Sequence, residues 1–252
     1  MEFFFKSFGL SYASLITLFL ISILSAFWIT KYKFLPIVLI TLFTVGSVLF
    51  LITLDENWFQ QLYIMISSFI FTFALIGLYR FFIQQEKWFK KEEIKLKAID
   101  SGFNLNQAII LISVFLISSG IYNLYIDFDL PLWVVILIIF ITIFFSTIYL
   151  TKINFLKSKA HELYLDSIKN KTFSFYSFLF GLIVVELIWA ISFWPANHLT
   201  VGAIVLSIYY FCWNILKNYL RNKLSKKNVI LNSIFFIAFF CITLLTGNWK
   251  IS

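Results

Sequence analysis

The sequence predicts an all-α integral membrane protein, a polytopic bundle of about eight transmembrane helices. Hydrophobic residues make up 61% of the 252 residues and charged residues only 13%, and the mean hydropathy is +0.93. Soluble domains are typically about 45–50% apolar and about 25% charged. The apolar excess is distributed in repeated long blocks, which is typical of membrane spans rather than of one soluble core.

Eight apolar blocks approach the roughly 20 residues that a helix needs to cross a bilayer. We expect them to form a single integral membrane domain over residues 1–252. The N-terminal MEFFFKS lacks the basic region and small-residue cleavage site of a signal peptide, so we expect the first span to be retained. A threefold repeat of a two-span unit is an open alternative, at 34–104, 105–172 and 173–227. The predicted spans lie at 8–30, 34–54, 59–83, 105–125, 131–151, 173–195, 199–217 and 228–249.

The basic residues predict the orientation of the spans. Cytoplasmic loops of membrane proteins carry an excess of Lys and Arg. When the spans are threaded alternately, 18 of the 20 basic residues fall on one side, leaving only Lys6 and Lys250 on the other. We therefore expect both termini to be extracytoplasmic. Membrane orientation also accounts for the net charge of +8, so no nucleic-acid partner is expected.

The predicted outer turns agree with this orientation. They are short and acidic or neutral, with the sequences LDENW, DFDLPLW and WPANH. Four tryptophans lie at this predicted interface, where indole rings are enriched. They are Trp58, Trp133, Trp194 and Trp249.

The two longer inner loops, 84–104 and 153–172, have patterned sequences. In 153–172 the apolar residues follow a helical spacing, which predicts an amphipathic helix that either lies at the headgroups or continues span five. Both loops are rich in lysine. Besides contact with the lipid bilayer itself, they are candidate contacts for anionic lipid or for a protein partner.

Glu186 is the residue that most invites a functional hypothesis, because it is an acid inside the span 173–195. It lies about 13 Å from the outer end of that span. We expect a candidate intramembrane polar site made of Glu186, Tyr209, Tyr210 and Asn214. One interpretation is a protonated acid that hydrogen-bonds a neighbouring helix; the other is a proton or cation site.

Motifs for enzymatic chemistry are incomplete, and we expect neither a cofactor nor a metal site. Cys212 and Cys241 lie in apolar blocks without other ligands nearby in sequence. His161-Glu162 lacks the second histidine of the HExxH zinc motif. Glu92-Glu93 with Lys97 is similar to the EExxxR element of intramembrane CAAX-type proteases, but it falls in a predicted loop and has Lys for Arg. An enzyme is therefore the least favoured class.

The C-terminal third resembles small multi-pass bacterial membrane proteins of unknown activity. The residues that carry the resemblance are ELIWAISFWP from Glu186, the pair Tyr209-Tyr210, the basic run from Arg221 to Lys227, and the ending Gly247-Asn248-Trp249. The resemblance implies a location in the bacterial cytoplasmic membrane and assigns no activity.

These observations favour a non-enzymatic scaffold or accessory component of a membrane. The alternative is a small proton- or cation-coupled transporter that uses Glu186. Few glycines and no mid-span proline are present to break the helices, as transporters commonly require.

Overall fold

The computed structural model describes an all-helical chain. It covers residues 34–51, 53–54, 59–60, 62–63, 66–67, 96–161, 169–194, 196–220 and 224–246. The predicted first span and most of the third lie outside the described residues. Six helices are present in the covered ranges, with no strand: α1 Phe34–Leu51, α2 Leu96–Phe128, α3 Leu132–His161, α4 Lys169–Ile191, α5 His198–Leu220 and α6 Lys226–Thr246.

The all-α prediction is confirmed, whereas the count of eight spans is not supported. In the described residues four helices are long and apolar enough to cross a membrane, namely Asn104–Phe128, Leu132–Ile153, His198–Tyr219 and Lys226–Leu245. Two others, Val38–Leu51 and Phe175–Ile191, are apolar but shorter. They lie within α1 and α4, which have 18 and 23 residues. By length and composition, the four long apolar helices indicate a membrane protein.

Two helices extend well beyond their predicted spans. α2 has 33 residues and α3 has 30, so they are about 50 Å and about 45 Å long. The last part of loop 84–104 is therefore helical from Leu96. The described part of loop 153–172 continues α3 to His161, which favours the second of the two predicted arrangements for that loop.

Local hydrogen bonds explain where several helices begin. The Asn197 side chain accepts a hydrogen bond from the Thr200 backbone N–H, at 2.7 Å, and so caps α5. Ser225 caps α6 in the same way through the N–H of Asn228, at 3.2 Å. Between α2 and α3 the chain reverses at Asp129, whose φ of 51° lies in the left-handed region that aspartate tolerates better than most residues.

α2 is the central helix of the described bundle. It packs against α1, α3 and α5, while α4 packs on α3 and α6 packs mainly on α5. Its contacts are close because they are made by small residues: a Cβ added at Gly120 would lie 2.7 Å from Leu49 of α1, and one at Gly202 of α5 would lie 2.8 Å from Ser119. Small residues allow helix backbones to approach in membrane proteins.

The described lysines all lie at one end of this bundle. Neighbouring helices joined by short connections run antiparallel, so the starts of α2, α4 and α6 share an end with the ends of α3 and α5. We call this the basic end and the opposite one the far end. The lysines at the basic end are Lys97, Lys152, Lys157, Lys159, Lys169, Lys171, Lys217, Lys226 and Lys227.

Candidate functional site

Glu186 lies on an exposed face of α4 rather than in the bundle interior. The α4 residues at Val184, Ile188 and Ile191 are buried, and they define the face that packs on the other helices. Glu186 belongs to the opposite face. Its neighbours on that face are large exposed apolar side chains: Phe175, Phe178, Leu179, Leu182, Ile183, Leu187, Trp189 and Phe193. The acid therefore stands alone in a long apolar stripe.

The depth of Glu186 follows from the end of its helix. α4 stops at Ile191, five residues further on, which is about 8 Å along the axis. The acid is thus closer to the helix end than the sequence predicts, because the chain turns at Ser192 before Pro195 is reached. A Cβ at Gly181 would touch the Phe140 ring of α3, which places Glu186 level with the first turn of α3.

Exposed tryptophans surround this level of the bundle. Trp133 is 66% exposed, Trp189 55% and Trp194 49%, as expected of indole rings near a membrane interface. Side chains on a helix tilt toward its N-terminus. For α4 that direction points away from the nearer surface, so Glu186 is directed toward deeper apolar surroundings.

Glu186 has no internal partner in the described part of the chain, where it makes neither a hydrogen bond nor an ion pair. Tyr209, one of its predicted neighbours, is fully buried. The Tyr209 hydroxyl lies beside Thr147 of α3 without completing a hydrogen bond to it. The predicted four-residue site is therefore not assembled around Glu186.

Tyr210 and Asn214 instead meet at a cavity between α5 and α6. The cavity has a volume of about 500 Å³. Its residues come from α2, α5 and α6: Leu111, Leu206, Ser207, Tyr210, Phe211, Asn214, Asn232, Phe235, Phe236 and Phe239. Four of these can form hydrogen bonds through their side chains, and none is charged.

Asn214 and Asn232 lie at the same end of this cavity. The rings of Phe211 and Phe236 stack with centroids 4.9 Å apart, and the two helices are antiparallel. This pairing brings Asn214 level with Asn232, on the side of the cavity toward the basic end. In the described structure neither side-chain amide makes a hydrogen bond.

Several Ser and Thr hydroxyl groups, by contrast, are satisfied within their own helix. Ser113, Thr142, Thr147 and Thr243 each donate to the carbonyl oxygen four residues earlier, at 2.8–2.9 Å. Such local bonds allow Ser and Thr to lie in apolar surroundings without forming a polar path. Other buried polar groups have no partner among the described residues, including both amide atoms of Asn106 and the hydroxyls of Ser118, Ser119 and Ser146.

Features of an enzyme or metal site are not apparent in the described ranges. They contain no group of three His, Cys, Asp or Glu side chains placed to hold a metal ion. Cys212 and Cys241 are free thiols on different helices.

Asn232 and Asn106 are two asparagines of the described helices that the predicted site leaves out. Their signal in the sequence is an asparagine inside an apolar helix. The partners that would give such a residue a role lie on other helices, so the sequence does not identify them.

The comparison with protein families gives one match. Residues 28–246 match the profile of DUF5656, described as a protein of unknown function. No curated protein and no solved structure matches the chain.

Proposed function

The chain belongs to the DUF5656 family, whose function is unknown, and we propose that it is a non-enzymatic accessory component that binds another membrane protein. The observation that carries this proposal is the exposed position of Glu186. The binding surface is the exposed apolar stripe of α4 around this acid. The partner contributes a transmembrane helix to that stripe.

The energetic argument concerns a carboxyl group facing lipid. An acid at the centre of a membrane span is unfavourable by about 2.5–3.5 kcal/mol on insertion scales, an upper bound for Glu186 at about 8 Å from its helix end, and such residues usually face protein or water. No described residue bonds the exposed Glu186 side chain, which is directed away from the nearer surface. A partner helix that covers the stripe removes this penalty.

The partner is expected to carry a Lys or Arg side chain at the depth of Glu186. A second copy of this chain is a poorer match, because its described lysines all lie at the basic end and Glu186 lies near the far end. A symmetric pairing through α4 would also bring two like charges together. A different protein with a buried cation at this depth is the better complement.

Transport through the bundle has less support. Glu186 points away from the other described helices, and the α5–α6 cavity does not include it. The buried hydroxyls of Thr142 and Thr147 are engaged in local bonds. A proton or cation path that used Glu186 would therefore have to run along the outside of α4.

The proposal includes the arrangement in the membrane. We propose eight spans, with both termini extracytoplasmic and the basic end in the cytoplasm, where its lysines meet anionic headgroups. The segregation of the described lysines supports this orientation. A bacterial cytoplasmic membrane fits the resemblance of the C-terminal third.

The test is purification from native membranes with Glu186 changed. We expect a partner to co-purify with the wild type and its recovery to fall about tenfold in Glu186→Gln and Glu186→Leu, since the loss of a charge-assisted hydrogen bond is worth about 1.5–3 kcal/mol. Thermal stability of the isolated chain should hold, because Glu186 makes no bond to any described residue. Asp127→Asn is the matched control, an acid at the same end whose replacement still accepts from Asn123.

The second part of the test asks whether the partner binds through the charge of Glu186. Glu186→Lys should lose the partner, and exchanging the partner's cation for Glu should restore it. Equal recovery with wild type and Glu186→Gln would overturn the proposal. If Glu186→Gln also abolished proton or cation uptake into liposomes that contain only this protein, the transport alternative would replace it.

A further inference from the structure

We infer that the cavity between α5 and α6 binds a neutral amphiphile, a lipid with a free hydroxyl or amide group and a hydrocarbon chain. This site lies on different helices from Glu186 and does not depend on partner binding there. The argument rests on the chemistry of the cavity wall, the arrangement of its polar groups and its volume.

The cavity wall selects for a neutral molecule with hydrogen-bonding capacity. Its lining includes no charged side chain, so no group in the wall itself pairs with an anionic headgroup. Asn214 and Asn232 each offer both a donor and an acceptor. A hydroxyl or amide group can satisfy both residues at once.

The two amide groups lie at one end of the cavity, whereas the Ser207 hydroxyl toward the other end is engaged with the Ile204 carbonyl of its own helix. Asn214 and Asn232 lie toward the basic end, and Asn232 is about 9 Å along the axis from the start of α6. The opposite part is lined by Leu206, Phe235 and Phe239. An amphiphile therefore fits with its polar group toward the basic end and its chain toward the middle of the bundle.

The free amides are the second observation that points to a ligand. Polar groups at apolar depth are normally hydrogen-bonded, because an unsatisfied group is costly where water is scarce. Neither amide has a partner in the described part of the chain. The cavity of about 500 Å³ is also within the usual range of about 300–1,000 Å³ for small-molecule sites.

The first test measures lipid binding to the purified full chain. The probe is dioleoylglycerol, compared with the anionic dioleoylphosphatidylglycerol, and bound lipid is counted by native mass spectrometry. We expect dioleoylglycerol to bind and Asn214→Leu or Asn232→Leu to weaken it by up to about tenfold, the loss of one or two hydrogen bonds. Asn218→Leu, on α5 but not at the cavity, should bind as the wild type does.

The second test keeps the inference falsifiable if a variant fails to fold. Phe239→benzoylphenylalanine places a photo-crosslinker at the apolar end of the cavity, and irradiation in native membranes identifies the occupant by mass. A neutral lipid adduct supports the inference. A polypeptide adduct, equal binding of the two probe lipids, or absence of dioleoylglycerol binding to the folded wild type would each overturn it.

Discussion

At the scale of single residues, α2 is held between two helices by two adjacent small side chains. Gly120 lies against the backbone of Leu49 in α1, and Ser119 lies against Gly202 in α5. In lipid the hydrophobic effect does not drive helices together, so such close contacts contribute much of the association energy. The stability of the bundle should therefore be sensitive to a single methyl group here.

Gly120→Ala should destabilise the protein more than Gly181→Ala. The new Cβ at 120 would lie 2.7 Å from the carbonyl carbon of Leu49, so a backbone has to move. At 181 it would meet only the edge of the Phe140 ring, which can rotate. We expect a loss of about 1–3 kcal/mol in the free energy of unfolding for Gly120→Ala, measured by denaturation in detergent micelles. Equal losses in the two variants would show that the close α1–α2 contact does not make position 120 more sensitive than position 181.

Glu186 shows how far one residue can be predicted from sequence. Its presence inside an apolar segment follows directly from the residues around it. Its direction does not, because α4 is apolar on all sides and a periodicity analysis then has no polar face to detect. The distance from Glu186 to the end of its helix is shorter than the sequence predicts, because the chain turns at Ser192. The structure also separates Tyr209 from Tyr210, since adjacent residues on a helix face different directions.

At the scale of elements, α6 is the least buried of the four long apolar helices that the structure describes. Only 6% of the residues of Lys226–Leu245 are buried, and α6 packs mainly on α5. Its principal contacts are the stacked rings of Phe211 and Phe236, with Phe236 also 5.8 Å from Phe240. Most of its other side chains are exposed in the described structure, where lipid can contact them.

Phe236→Ala should let α6 separate from the rest of the chain. Loss of an aromatic pair is worth about 1 kcal/mol beyond the buried area. With a protease site inserted before Ser225, we expect the cleaved α6 fragment to stay bound in the wild type and to dissociate at lower detergent concentration in the variant. Ile237→Ala, at a 56% exposed position, is the control. If both fragments dissociate alike, the aromatic stack does not hold α6.

Helix existence was easier to predict than helix length. Uninterrupted apolar runs predict the starts of α5 and α6 to within two residues, because short polar turns and the caps Asn197 and Ser225 precede them. α2 and α3 continue past the apolar run into charged sequence, where hydropathy gives no signal. The polar segments of α2 and α3 are also helical. A prediction based on bilayer length therefore makes both helices too short.

At the scale of the whole molecule, the segregation of charge predicts accessibility. In a chain without Cys212 and Cys241, we expect Phe128→Cys to react with a membrane-impermeant maleimide in intact cells. Lys226→Cys should react only after permeabilisation, because it lies at the basic end. The opposite pattern would reverse the proposed orientation, and labelling of both from outside would contradict a membrane crossing between them.

The close contact at Gly120 also has a mechanical consequence. α2 packs closely against α1 and α5 at this point. From Gly120 the helix extends 24 residues back to Leu96, a distance of about 36 Å. With Gly120 as the fulcrum, a tilt of about 5° displaces the Leu96 end by on the order of 3 Å over that length. A small tilt of α2 near the far end therefore becomes a larger displacement of the same helix at the basic end.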